Sequence, residues 1–130
     1  MEKHDQRKIV YVEDDEDMIG LVKLILEREG FHVVGAKSGR EGIDIIKKEL
    51  PDLVLLDLML PEIDGWNVLQ QLRSNEATKE IPVIVLTAKA QSIDRVLGLH
   101  IAKVNDYISK PFKPQELVDC ISKVLDATAA

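Results

Sequence analysis

The chain of 130 residues is poor in several things that would each point to a function. It has one cysteine, Cys120, so an internal disulfide is excluded, and the residue falls in an apolar helical pattern where a lone Cys behaves as a small hydrophobe in a reducing environment. Aromatic residues make up only 4% and positive charge is in deficit: 17 Lys and Arg stand against 23 Asp and Glu, for a net charge of -6. That balance gives no electrostatic footprint for direct nucleic-acid contact or for an anionic membrane. No apolar run approaches membrane-spanning length, and the opening "MEKHDQRK" is polar, with neither a signal-type apolar core nor a lipidation motif. A soluble, cytoplasmic protein without a membrane partner is expected. Linkers, internal repeats and low-complexity segments are also missing, so a single domain over 1–130 is expected, with an ordered core of about 8–126 behind a polar tail of 1–7.

What is present is a regular alternation. "KIVYV" (8–12), "FHVVGA" (31–36), "LVLLD" (53–57), "PVIVLT" (82–87) and "DYIS" (106–109) are short aliphatic or β-branched runs that read as strands. Between them lie helically spaced apolar residues: Met18, Leu21, Val22 and Ile25; Ile43 and Ile46; Val68, Leu69 and Leu72; Ile93, Val96 and Leu97. A fifth stripe, Leu117, Val118, Ile121, Val124 and Leu125, follows the last strand. Gly30 can end the first helix, Ser38 with Glu41 forms a capping box, and Asp64 can cap the third helix. Strands that each lead into a crossover helix must pair in parallel, which predicts an α/β fold: a doubly wound, five-stranded parallel sheet with five helices. The third and fourth strands are apolar at nearly every position, so they belong with the first in the middle of the sheet, covered on both faces.

Sites in such sheets lie beyond the carboxyl ends of the strands. Those ends carry Glu13 and Asp14, Asp57, Thr87 and, just past the fifth strand, Lys110. Carboxylates converging on one point repel unless a cation offsets them, and a hard ion such as Mg2+ suits an all-oxygen donor set. Asp14 and Asp57 can ligate directly and Glu13 through water, while Thr87 and Lys110 offer a hydroxyl and an ammonium to an anionic oxygen. Asp57 is also a possible carboxylate nucleophile. Asp15, Glu16 and Asp17 read as helix cap and first-turn acids.

Together these segments resemble the receiver domain of two-component response regulators, over roughly 8–126. "VYVEDDE" looks like the first-strand acidic motif, "LVLLDLMLPEIDGWNVL" like the phosphoacceptor strand and its loop, "VIVLTAKA" like the threonine motif and "DYISKPF" like the lysine-proline motif. The resemblance implies a flavodoxin-like sheet with Asp57 as phosphoacceptor. It implies Glu13, Asp14, Asp57 and the Met59 backbone carbonyl as the Mg2+ shell, Thr87 and Lys110 as phosphoryl contacts, and Thr87 with Tyr107 as the switch pair. It further implies phosphoryl transfer from a partner histidine kinase or phosphotransfer protein. The output protein or domain is then engaged through the fourth helix, fifth strand and fifth helix, and the domain catalyses only its own phosphorylation and dephosphorylation. A cis peptide before Pro111 is expected on the same ground. The stretch "GLHIAKVNDY" runs one residue longer than the family's Gly-Ala turn, and Asn105 is expected to take the left-handed conformation there.

Two other readings share parts of this pattern. A phosphatase of the haloacid dehalogenase type also uses an Asp nucleophile with Mg2+, but it places a second Asp two residues on, where this chain has Met59. A flavodoxin-like cofactor module wants a Ser-, Thr- or Gly-rich phosphate loop, whereas the first loop here is acidic.

Overall fold

The computed structural model describes residues 7–60, 63–87 and 104–128, with Thr87 described by its backbone. The strands are β1 (Lys8–Val12), β2 (His32–Ala36), β3 (Leu53–Leu56), β4 (Val83–Thr87) and β5 (Asp106–Ser109). Among the described residues the helices are α1 (Glu16–Glu27), α2 (Gly39–Glu49), α3 (Gly65–Ser74) and α4 (Pro114–Thr128), the last being the fifth apolar stripe of the sequence. The helix expected around Ile93, Val96 and Leu97 lies outside the described residues.

All four strand pairings are parallel, in the order β2-β1-β3-β4-β5, which puts β1, β3 and β4 in the interior as their composition requires. Alternation along each strand divides its side chains between two cores. Val10, Val12, Val54 and Leu56 pack with Ile43 and Ile46 of α2 and Val68, Leu69 and Leu72 of α3. Ile9, Tyr11, Leu53 and Leu55 pack with Val22 and Leu26 of α1 and Leu117 and Ile121 of α4. A strand with apolar residues at every position is therefore stable only with helices on both faces; each fully buried aliphatic side chain contributes about 1.5–3 kcal/mol.

Local signals at the helix ends match the sequence. Asp15, Ser38 and Asp64 are the N-caps of α1, α2 and α3, each accepting from backbone N–H groups of the first turn. Glu41 completes the start of α2 by accepting from the Lys37 N–H at 2.8 Å. After α1 the chain turns through Gly30 at a φ of 98°, a conformation glycine adopts without penalty.

Two local expectations are corrected. Leu21, one of the helically spaced apolar residues of α1, is 46% exposed, because the face that meets the sheet is centred on Val22 and Leu26 and Leu21 lies about a third of a turn away. Asn105 does not adopt the left-handed conformation; Leu50 is the only described non-glycine residue with positive φ. The Asn105 side-chain oxygen instead accepts from the Val83 N–H at 2.9 Å, and its own N–H donates to the Val83 carbonyl at 2.7 Å. Asn105 thus braces the start of β4, satisfying both backbone groups of Val83 with one residue.

Leu50 ends α2 at φ 46°, with its side chain 53% exposed. The left-handed conformation costs an L residue about 1–2 kcal/mol, only partly offset by the greater entropy glycine loses on folding. Leu50→Gly is therefore expected to raise stability by about 0.5–1 kcal/mol. Urea unfolding measures it, and an unchanged or lower midpoint would refute the strain.

Candidate functional site

The carboxyl ends of β1 and β3 lie side by side because parallel pairing continues into the residues that follow. The Glu13 N–H donates to the Ala36 carbonyl at 2.9 Å, and the Asp57 N–H to the Val12 carbonyl at 3.1 Å. These bonds hold the first residue after each strand in fixed register. Ligand oxygens of Glu13, Asp14 and Asp57 consequently lie within 4.8 Å of one another. Glu13 and Asp57 are buried, at 2% and 4% exposure, while Asp14 is exposed and opens the cluster to solvent.

Each buried carboxylate has its oxygens assigned. Asp57 Oδ1 accepts from the Met59 N–H at 2.9 Å, and Asp57 Oδ2 lies 3.2 Å from Lys110 Nζ. Glu13 Oε1 accepts from Lys110 Nζ at 2.5 Å and from the Tyr11 hydroxyl at 2.8 Å, while Glu13 Oε2 accepts from the Asp15 N–H at 3.1 Å. Lys110 reaches both acids from just beyond β5, where the Lys110-Pro111 peptide is cis, as expected from the sequence. Burial pushes the Glu13 carboxyl up from its ordinary value, against the opposing hydrogen bonds from Lys110 and Tyr11. Burial alone would lower the Lys110 ammonium, but its contacts with Glu13 and Asp57 outweigh that and leave it raised. The Tyr11 phenol is held protonated, first by burial and then by the charge of Glu13.

The remaining expected site residues are distributed as follows. Thr87 closes β4 in register with Ser109; the role given to its hydroxyl falls outside the described residues. Tyr107 is opposite Val85 in β5, 4% exposed and packed in the core with Val85 and Val104. Met59 offers its amide to Asp57 and leaves its side chain 52% exposed. Asp15 caps α1, accepting from Asp17 and Met18 N–H groups, and is not one of the three clustered acids. Sequence reasoning passed over Tyr11, although strand alternation places residues 11 and 13 on one face of β1.

A buried pair of carboxylates plus a third at the surface, with hard oxygen donors throughout, suits a small divalent cation, and the ammonium of Lys110 offsets only part of the charge. Among the described residues no helix is long and apolar enough to cross a membrane.

Comparison with known proteins gives concordant matches. The model of the response regulator receiver domain matches residues 9–122. The alkaline phosphatase synthesis transcriptional regulatory protein PhoP of Bacillus subtilis (strain 168) is 40% identical over 119 residues, covering 92% of this chain and 48% of that protein. The chain thus spans about half the length of that regulator. A response regulator structure from Chloroflexus aurantiacus J-10-fl superposes with a TM-score of 0.86 at 36% identity, covering 92% of this chain and 98% of the other. The BeF3-activated N-terminal receiver domain of Klebsiella pneumoniae RstA gives a TM-score of 0.84 at 34% identity, with coverage of 92% and 98%. Neither the phosphatase nor the cofactor-module reading is favoured by these matches.

Proposed function

The chain belongs to the response regulator receiver domain family, and we propose that it accepts a phosphoryl group on Asp57 from a partner histidine kinase or phosphotransfer protein. The observation that carries this is the placement of Asp57: buried at the end of a central strand, one oxygen fixed by the Met59 amide and the other beside Lys110. An Asp57 oxygen attacks phosphorus as the donor's bond to it breaks, leaving an aspartyl phosphate on this chain. The Met59 N–H holds the carboxylate's orientation during approach. Lys110, already shared between Glu13 and Asp57, is within reach of an anionic oxygen delivered there, and the Thr87 hydroxyl is the second phosphoryl contact.

The Glu13, Asp14 and Asp57 carboxylates, with the Met59 carbonyl, would hold Mg2+, which when bound offsets negative charge on the incoming group. Glu13 would take part through water, since its own oxygens are already engaged by Tyr11, Asp15 and Lys110. Output follows from Thr87 and Tyr107 through the face to which β5 and α4 contribute, where a protein partner or an attached domain reads the state. Direct nucleic-acid contact by these 130 residues is not part of the proposal, given their net charge of -6.

Labelling with acetyl phosphate and Mg2+ tests the assignment. Asp57→Asn is expected to abolish acid-labile label, and persistence at the parent level would refute it. Asp14→Asn is expected to weaken Mg2+ binding by about tenfold or more. Asp15→Asn, which keeps a capping side chain, should stay within about threefold. Equal effects would overturn the choice of ligands.

A further inference from the structure

Tyr11 takes no part in the phosphoacceptor scheme, yet it is bonded to the acidic cluster. Its ring is fully buried among Ile9, Leu55 and Leu117, in a core where a purely apolar side chain would have no hydroxyl to satisfy. The hydroxyl donates to Glu13 Oε1 at 2.8 Å. Glu13 is itself 2% exposed, so its carboxylate depends on protein donors: Tyr11 and Lys110 on one oxygen and the Asp15 N–H on the other. Lys110 sits on a long flexible stem and has a second partner in Asp57. Tyr11, by contrast, has a ring locked by packing and few rotatable bonds. It is the donor whose position does not change when Lys110 moves.

We propose that Tyr11 is a positioning residue for the cation site: its hydroxyl fixes the Glu13 carboxylate in the orientation that faces Asp14 and Asp57, including when Lys110 leaves Glu13 for another oxygen. The inference rests on the reading of Glu13 as a member of that site. Its physical basis is the general one that a ligand held by a rigid outer partner needs no reordering when the cation arrives.

Tyr11→Phe removes the hydroxyl and keeps the ring. Titration of the unphosphorylated protein with Mg2+ in a calorimeter is expected to show binding weakened by about tenfold, and half-maximal labelling by acetyl phosphate should need correspondingly more Mg2+ while the rate at saturating Mg2+ stays within about twofold. In a Glu13→Ala background, which leaves no side-chain oxygen for the Tyr11 hydroxyl to hold, the same substitution should change Mg2+ affinity by less than about twofold. Unchanged affinity in Tyr11→Phe, or an equal loss in both backgrounds, would overturn the proposal, the latter showing that Tyr11 acts by packing alone. Failure of the parent protein to bind Mg2+ would sink the cation reading itself. The Glu13 side-chain carboxyl signal in metal-free protein then still decides the positioning role: Tyr11→Phe should move it, and a signal left in place would overturn the role.

Discussion

Gly65→Ala is expected to cost about 3 kcal/mol of stability, at the upper end for overpacking, and to slow labelling of Asp57 by more than about tenfold. A Cβ at this position would lie 2.5 Å from the Asp57 carbonyl oxygen and 2.5 Å from Leu58 Cα, with a Leu58 side-chain carbon at 3.0 Å. Both of the nearest atoms are backbone, so no rotamer change relieves the contact. The Gly65 N–H also donates to the Leu58 carbonyl at 3.1 Å, tying the start of α3 to the loop that leaves β3. Relief must come from moving that loop, and the loop carries both the Asp57 carboxylate and the Met59 amide that orients it. A loss of about 3 kcal/mol lowers the melting temperature of a domain this size by roughly 10 °C. Thermal unfolding and initial labelling rates below the transition separate the two effects; parent-like values in both would show that the close packing is not obligatory.

Cys120 is expected to alkylate about fiftyfold more slowly at pH 8 in the folded protein than in the unfolded chain. Burial first, and then the charge and hydrogen bond of Asp106, push its thiol up to about 12. The thiol donates to Asp106 Oδ2 at 3.4 Å. A rise of about three units reduces the thiolate by about a thousandfold, and the greater nucleophilicity of a more basic thiolate recovers roughly twentyfold of that. The rate should keep climbing tenfold per pH unit to above pH 10, where the unfolded chain has levelled off. Because the folded chain holds this proton more tightly, Cys120 contributes stability that is complete below about pH 9 and is lost as pH rises toward about 12. Asp106→Asn should speed alkylation several-fold without restoring the unfolded rate, since burial remains. A folded-state rate equal to the unfolded one would refute the shift.

The sheet was readable in the sequence because its demands are repetitive. A strand covered on both faces must be apolar at both parities, and β1, β3 and β4 are; caps at Asp15, Ser38 and Asp64 mark where each following helix begins. Convergence of Glu13, Asp14, Asp57 and Lys110 followed from knowing that parallel strands end at one edge. The misreadings have a different source. Leu21 is apolar but lies off the buried face, and composition does not record rotation about a helix axis. Asn105 can satisfy a backbone either by turning or by reaching across to Val83, and only the placement of β4 beside β5 selects between them. The Tyr11 hydroxyl was hidden for a similar reason: its ring satisfies the strand pattern, so nothing in the pattern asks where the oxygen goes.

Lys110 and Glu13 are separated by 97 residues along the chain, and Lys110 and Asp57 by 53. Closing a loop of that length is among the entropically dearest steps in reaching the native state. The ion pairs that link these residues therefore cannot exist in a chain whose final strand has not yet docked. A truncated or half-folded molecule with the helices, and even the β1-β3 ladder, in place still presents two neighbouring acids with no ammonium between them. The same long-range clasp that furnishes the acids with their ammonium therefore reports on completion of the fold: the cluster is assembled only in a copy of the protein whose first and last strands are both in place.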